Sequence, residues 1–298
     1  MRSYPASNTL YSSRHFEYAP PVFLAPLTSL TWAYQLHYHI CFRTHRRRDF
    51  FQEQARIHDL SSALKSISTT NDYHLLEMKV RPADVQLLLS LQPHQCVSDV
   101  LKKLKGRSSA LICPELNISP PLWARGYLAR SVGRVRLQAV KHYLEQQAEH
   151  HGYAKRTRPP VFRYRTSNPA VLTVAHAMFD LKYHLVLATR FRQGTFDSNL
   201  GDALMQYWIG VANKRDFAID QATILPDHVH LLVRTTPKMS IEQCALSLMN
   251  NGQYFIGKYY PEALIAAKID QLWQPSAYAG TCGELTTALL KAFLSNSV

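Results

Sequence analysis

The sequence has five cysteines but no C-x-x-C pair. Neither a zinc knuckle nor a disulfide framework is therefore expected, and a reducing compartment is the simplest setting. No apolar run approaches the roughly 20 residues that a membrane-spanning helix needs, and the N-terminal residues lack the apolar core of a signal peptide. These absences predict a cytoplasmic protein that does not use a membrane.

Acidic residues are scarce compared with basic ones. The 298 residues include 34 lysines and arginines against 21 aspartates and glutamates, which gives a formal net charge of +13. This excess favours a polyanionic partner, above all nucleic acid, although solubility alone could also explain it. The length and the apolar content of 46% are sufficient for about two domains of ordinary size.

Two histidines in one apolar segment give the first chemical signal. Residues 226–233 have the sequence PDHVHLLV, in which His228 and His230 alternate with apolar residues as in a half-buried strand. Side chains at i and i+2 of a strand point to one face, so the two imidazoles could clamp a metal ion. An ordinary strand with two structural histidines is the alternative, and this short segment alone favours it.

The chain contains an internal repeat. Segment 181–189 matches 36–44, with leucine, tyrosine, histidine and threonine at the same places, and 226–233 matches 82–89 at the same spacing to within one residue. A Leu-Trp pair also recurs. The predicted organisation is an irregular leader, a first domain copy, a Pro/Arg-rich linker and a second domain copy, at 1–29, 30–151, 152–171 and 172–298.

Within the first copy, the pattern of apolar residues predicts four strands and three helices. The strands are expected at 36–44, 73–80, 83–89 and 123–131, and the helices at about 50–67, 97–113 and 134–150. The last helix carries Tyr143 and, one turn later on the same face, Gln147. The second copy has Phe293 and Ser297 at the matching positions.

The order of these motifs resembles that of the single-tyrosine HUH transposases. The motifs are a strand with Tyr-His, a helix, a His-hydrophobic-His strand, a Lys-Gly-Arg-Ser-Ser stretch at 105–109, a Leu-Trp pair, and a helix with Tyr and Gln. The family comprises small insertion-sequence transposases and REP-associated tyrosine transposases. The resemblance covers about 36–150 and 178–297. It implies an α+β fold of two tandem ferredoxin-like or RRM-like sandwiches with antiparallel sheets, which form an intramolecular pseudo-dimer.

Carried over by position, the resemblance assigns a nucleophile and a metal site. Tyr143 matches the tyrosine that becomes covalently linked to DNA. The matched metal ligands are His228, His230 and Gln147. Such mixed nitrogen and oxygen ligation suits Mg²⁺ or Mn²⁺, although the histidines alone would also accept Zn²⁺ or Ni²⁺. A core aromatic residue of an amphipathic helix is the alternative role of Tyr143.

Each copy departs from the family pattern in a different half. The first copy has Asp84 and Gln86 where the histidines should be, and the second has Phe293 where the tyrosine should be. Each copy thus keeps the half that the other lost. This complementarity predicts one composite site, built between the two copies.

The predicted function is metal-dependent cleavage and strand transfer of single-stranded DNA with hairpin structure, by a monomer in a prokaryotic cytoplasm. One alternative is a domesticated protein that binds a DNA hairpin without cutting it. Another is a degenerate remnant whose repeat is only structural.

Basic residues are expected to contact the DNA phosphates. The candidates form clusters on the first copy: Arg46, Arg47, Arg48, Lys102, Lys103, Lys105, Arg107, Arg134 and Arg136. In the linker, residues 162–165 (Phe-Arg-Tyr-Arg) interleave aromatic rings with guanidinium groups, as a platform for stacking unpaired bases would, although a linker could also carry them by chance.

Overall fold

The computed structural model describes residues 21–115, 117–133 and 160–283. In chain order, the first half contains β1 (Thr31–Gln35), β2 (His37–Thr44), a 3-10 turn (His45–Arg47), α1 (Gln54–Thr70), β3 (His74–Val80), β4 (Asp84–Ser90), α2 (Val97–Glu115) and β5 (Trp123–Val132). The second half contains β6 (Phe162–Arg165), β7 (Ala177–Asp180), β8 (Lys182–Thr189), a 3-10 turn (Arg190–Arg192), α3 (Ser198–Ala212), β9 (Phe217–Leu225), β10 (His228–Thr235), α4 (Ile241–Tyr259), α5 (Pro261–Ala267) and β11 (Trp273–Cys282).

The strands form two sheets that share the same arrangement of four central strands. The order is β3-β4-β2-β5-β7 in the first sheet and β1-β11-β8-β10-β9-β6 in the second. Four antiparallel strands are common to both, because β3-β4-β2-β5 corresponds to β9-β10-β8-β11. The predicted α+β fold of two tandem copies is thereby confirmed.

Helices cover one face of each sheet. On β2, the alternating side chains of Tyr38, Ile40 and Phe42 are buried in the core that Leu64 of α1 and Leu104 of α2 complete. The intervening residues of the strand therefore belong to the opposite face, because successive side chains of a strand point to opposite sides. The candidate site lies on that second face.

Each copy lends one edge strand to the other sheet. β1 lies at the start of the first copy but pairs in parallel with β11 of the second, and β7 lies at the start of the second copy but pairs in parallel with β5 of the first. The sequence pattern did not predict this exchange. The two copies are therefore joined by backbone hydrogen bonds as well as by the connecting chain.

Symmetry-related contacts join the copies at the ends of β5 and β11. The backbone amide of His37 donates to the hydroxyl of Thr281 at 3.0 Å, and that of Lys182 donates to the hydroxyl of Ser131 at 2.9 Å. His37 and Lys182 begin the matching strands β2 and β8. In one contact the first copy donates to the second, and in the other the second copy donates to the first. They support the pseudo-dimer.

Glycine is required where the chain leaves β5 and β11, at the boundary between the copies. The amide of Gly133 donates to the carbonyl of Gly283 at 3.1 Å, and a Cβ atom at Gly133 would collide with the carbonyl oxygen of Thr281. Gly283 has a φ of 137°, which side-chain-bearing residues rarely adopt. Nearby, the buried hydroxyls of Tyr38 and Tyr183 lie 3.2 Å apart.

Two segments differ from the predicted organisation or extend it. Residues 162–165, expected to be part of a linker, form strand β6 on the outer edge of β9. The described part of the leader has no regular structure, as predicted, but Val22 and Leu27 are hydrogen-bonded to α4 through Gly257 and Asn250. The predicted helix at 134–150 lies outside the described residues.

Two predicted absences can be compared with the structure. All five cysteines are buried and free of disulfides. No helix within the three described ranges is long and apolar enough to cross a membrane.

Candidate functional site

The two histidines lie on one face of β10, as their spacing predicts. Val229 and Leu231, which alternate with them, are fully buried on the helix side of the sheet. The ring centroids of His228 and His230 are 4.9 Å apart, and the residues are only 9% and 5% exposed. The pair therefore forms a compact, largely desolvated cluster of ring nitrogens.

A carboxylate orients the first histidine. Oδ1 of Asp227 is 2.7 Å from Nδ1 of His228, and Oδ2 of Asp227 is 3.0 Å from Nε of Arg192. Burial acts to raise the pKa of Asp227, but the hydrogen bond and charge of His228, with the charge of Arg192, bring that pKa below its usual value. An ionised Asp227 holds the ring by Nδ1, so Nε2 is the nitrogen that would coordinate a metal.

A third histidine contacts the second. Nε2 of His184, on the neighbouring strand β8, is 3.0 Å from Nδ1 of His230, and the two rings stack at 16° with centroids 5.3 Å apart. Burial lowers the pKa of His184 to about 4, so this ring is neutral near neutral pH. No role was predicted for His184 from the sequence. The available signal was that the Tyr-His motif occurs in both copies.

A shallow groove of about 370 Å³ lies beside the histidine cluster. Its walls come from β1, β8 and β11: Thr31, Trp32, Ala33, Val186, Ala188, Ser276, Ala277 and Tyr278. Tyr278 is 40% exposed, and its ring meets His184 edge to face, with centroids 5.9 Å apart. Because β1 comes from the first half of the chain, both halves build this groove.

On the equivalent face of the first copy, strand β4 carries no histidine pair. Asp84 and Gln86 occupy the positions of His228 and His230, because each pair opposes the same two positions of the neighbouring strand, β2 or β8. Nε2 of Gln86 donates to Oδ1 of Asp84 at 3.3 Å. The strand registers thus support the alignment of the repeat on which these counterparts were identified.

Two buried arginines distinguish this face from the histidine face. Arg43 opposes Asp84, where the second copy has Ala188, and Arg130 stands where the second copy has Gly280. Arg43 is 6% exposed and Arg130 is 4% exposed. Arg43 stands opposite the Asp84 carboxylate, and its positive charge disfavours a divalent cation at that carboxylate.

The histidine face could hold a metal ion only with a further ligand. In the described part of the chain, no group of three or more His, Cys, Asp or Glu side chains is arranged to bind one. Two imidazoles with fixed orientation and one amide oxygen form a donor set that fits a divalent cation. The predicted amide ligand, Gln147, lies outside the described residues.

The other predicted catalytic residues also lie outside the described ranges. These are Tyr143, its counterpart Phe293, and the basic residues Arg134 and Arg136. The described chain stops before them at Gly133 in the first copy and at Gly283 in the second. These glycines meet at the boundary between the copies.

The remaining basic candidates are not brought together. Arg46, Arg47 and Arg48 are exposed in the turn after β2, at the end of the sheet where Asp84 lies, and Arg46 and Arg47 have positive φ.

On α2, Lys102, Lys103 and Arg107 are exposed, on the helix side of the sheet. Lys105 is engaged within the fold instead, since its Nζ donates to the carbonyl of Ala124 at 2.6 Å and burial lowers its pKa to about 8.

Strand β6 separates its rings from its guanidinium groups. Phe162 and Tyr164 are half-buried against the core, whereas Arg163 and Arg165 are exposed. The expected stacking platform is therefore wrong, because period-two alternation directs the rings to the helix side. Arg163 is paired with Thr223, which also opposes His230, so this arginine shares the histidine face.

Comparisons with known proteins agree with the repeat. A family model described as "Transposase IS200 like" matches residues 32–147 and again 177–297. The ISDra2 transposase TnpA of Deinococcus radiodurans is 24% identical over 119 residues, which cover 40% of this chain and 85% of that protein. The transposase for insertion sequence element IS200 of Salmonella typhimurium is 29% identical over 117 residues, covering 39% of this chain and 77% of that protein.

A solved structure of a transposase from Deinococcus radiodurans is 26% identical, with a TM-score of 0.32, and covers 39% of this chain and 92% of that one.

Proposed function

The chain belongs to the family of IS200-like transposases, and from that premise we propose that it cleaves and rejoins single-stranded DNA through a phosphotyrosine at one composite site. The observation that carries this proposal is the histidine cluster on β10. Its rings are held at Nδ1 by Asp227 and His184, on a face whose groove both halves of the chain build. Preorganised imidazoles are what a metal site for phosphodiester chemistry requires.

His228, His230 and Gln147 would hold the divalent ion, Mg²⁺ or Mn²⁺. When bound, such an ion neutralises charge on the non-bridging oxygens of the phosphate. The phenol of Tyr143 would lose its proton as its oxygen forms a bond to phosphorus and the bond to a sugar oxygen breaks. The sugar oxygen would take up a proton and leave as a hydroxyl group. The phosphotyrosine conserves the bond energy, so a second sugar hydroxyl can attack it and restore the tyrosine.

One site per chain follows from the differences between the copies. The first copy offers Asp84 and Gln86, with the buried residue Arg43 opposite Asp84, a setting that opposes a second metal ion. The second copy has Phe293, which lacks a hydroxyl group for attack. We propose that Tyr143 of the first copy completes the histidine site of the second. The exchange of β1 and β7 supports a monomer that acts as its own dimer.

The groove beside the histidines favours single-stranded DNA as the substrate. Its partly exposed Tyr278 ring can stack against a base, and base stacking is available only where the base is unpaired. A hairpin that presents an unpaired flank fits this requirement. The net charge of +13 supports binding to the phosphate backbone.

The test uses single-stranded oligonucleotides from both flanks of the gene, with Mg²⁺ or Mn²⁺. We expect a covalent protein–DNA adduct that is absent from Tyr143→Phe. An adduct that survives in Tyr143→Phe would place the nucleophile elsewhere. Hairpin binding without any adduct, with either metal, would instead support the non-cleaving alternative.

A further inference from the structure

The Pro/Arg-rich linker at 152–171, here called the connector, supplies an extra strand to one sheet only. Strand β6 pairs antiparallel with β9, whose equivalent in the first copy is β3. In the described part of the chain, no strand pairs with the outer edge of β3. The extra strand therefore extends the sheet that carries the histidine pair and not its counterpart.

The register aligns β6 with the histidines. Arg163, Thr223 and His230 lie in one row across three neighbouring strands, and Arg165 lies beside Gln221 one pair further along. Strands are spaced by about 4.8 Å, so the backbones of Arg163 and His230 are roughly 10 Å apart. An extended arginine side chain on the same face covers much of that distance.

The side chains of Arg163 and Arg165 are suited to binding a DNA backbone. Arg163 and Arg165 are exposed, and guanidinium groups bind phosphate oxygens in a bidentate manner. The rings of Phe162 and Tyr164 anchor the strand from the other face, with Phe162 in contact with Ile224 and with the Gly201 position of α3. A fixed strand can thus present two cations at the edge of the site.

We propose that Arg163 and Arg165 bind backbone phosphates of the same DNA strand whose scissile phosphate lies at His228 and His230. This inference rests on the proposed function and adds a substrate subsite to it. The connector then has two tasks, because it joins the copies and also guides the DNA strand across the histidine face. The competing explanation is that charged side chains only protect an exposed sheet edge from pairing.

Salt dependence of DNA binding separates the two explanations. The affinity of a fluorescein-labelled oligothymidylate is measured by anisotropy at several salt concentrations, for the full chain and for the double variant Arg163→Ala/Arg165→Ala. Each lost phosphate contact on a single strand should lower the slope of log affinity against log salt by roughly 0.7. Arg163→Lys/Arg165→Lys should retain most of the slope, because the charges remain.

A matched control removes the same charge elsewhere. Lys214 and Arg215 are equally exposed in the turn between α3 and β9, and Lys214→Ala/Arg215→Ala should leave the slope unchanged. Thermal unfolding verifies that each variant is folded. A slope that stays at the wild-type value in the Arg163/Arg165 alanine variant, or falls equally in the control, overturns the subsite.

The two experiments distinguish failure of the subsite from failure of the proposed catalysis. If the wild type forms the covalent adduct but the alanine variant keeps its salt slope, the subsite is refuted and the proposed function stands. If no adduct forms but the slope falls as expected, the subsite stands and the proposed chemistry is refuted. Failure of the wild type to bind the oligonucleotide at any salt concentration refutes the subsite.

Discussion

Replacing Asp227 by alanine should weaken metal binding by roughly 10- to 100-fold, because Asp227 orients a proposed metal ligand. Its Oδ1 lies 2.7 Å from Nδ1 of His228, which fixes both the tautomer and the rotation of the ring. The affinity loss corresponds to about 1.4–2.8 kcal/mol, at 1.4 kcal/mol for each factor of ten. Arg192, the second partner of the carboxylate, has a side chain that is 56% exposed and can turn to water.

The backbone contacts at Asp227 should survive the substitution. Its carbonyl oxygen accepts from the amide of Thr189 at 3.0 Å and from the hydroxyl of Thr189 at 2.9 Å, and neither contact uses the side chain. Asp227→Asn retains an oxygen that can accept from Nδ1 and should lose less affinity than Asp227→Ala. The expected order of affinity is therefore wild type, asparagine, alanine.

Isothermal titration with Mn²⁺ measures the effect, and thermal unfolding accompanies it. Asp220→Ala is the control, since Asp220 binds Nε of Arg234 at 2.9 and 2.8 Å and is not in contact with the histidines. This control should lose thermal stability but keep its affinity for Mn²⁺. Unchanged affinity in Asp227→Ala, or an equal loss in Asp220→Ala, would refute the orienting role.

Four further outcomes are expected. His228→Ala should abolish cleavage with little change in DNA affinity, as measured by adduct formation and anisotropy, because phosphate contacts supply most of the binding; equal loss of both would indicate a structural histidine. One metal ion should bind and one phosphotyrosine should form per chain, and Phe293→Tyr should not add a second adduct; intact mass spectrometry showing two would contradict the composite site. Tyr38→Phe and Tyr183→Phe should each cost about 1 kcal/mol in denaturant unfolding, and the double variant less than their sum, because the hydroxyls are partners; strict additivity would argue against that hydrogen bond. Tyr278→Ala should reduce the affinity for single-stranded oligonucleotides while Tyr278→Phe retains it, since stacking needs the ring and not the hydroxyl. Equal affinity of the two variants would contradict stacking of a base on Tyr278.

Local periodicity was sufficient for the four strands and two helices of the first copy at 37–132 and for the alignment of the copies. The two-residue alternation around His228 and His230 predicted a strand with both imidazoles on one face, because strand geometry depends only on neighbouring residues. The repeat likewise identified Asp84 and Gln86 as counterparts, and the strand registers place them at the same positions. The roles of Tyr143 and the other residues outside the described ranges stay predictions.

Contacts between distant segments required the tertiary structure. The exchange of β1 and β7 depends on which sheet edge each strand meets, and no local pattern specifies that partner. The same applies to His184, which contacts His230 only because β8 and β10 are neighbours in the sheet.

The connector is the clearest case. Its composition of rings and arginines was visible in the sequence, but the side to which each residue points was decided by pairing with β9. Because β6 pairs with the outer edge of β9, the two-residue period of a strand places the rings in the core and the guanidinium groups on the histidine face.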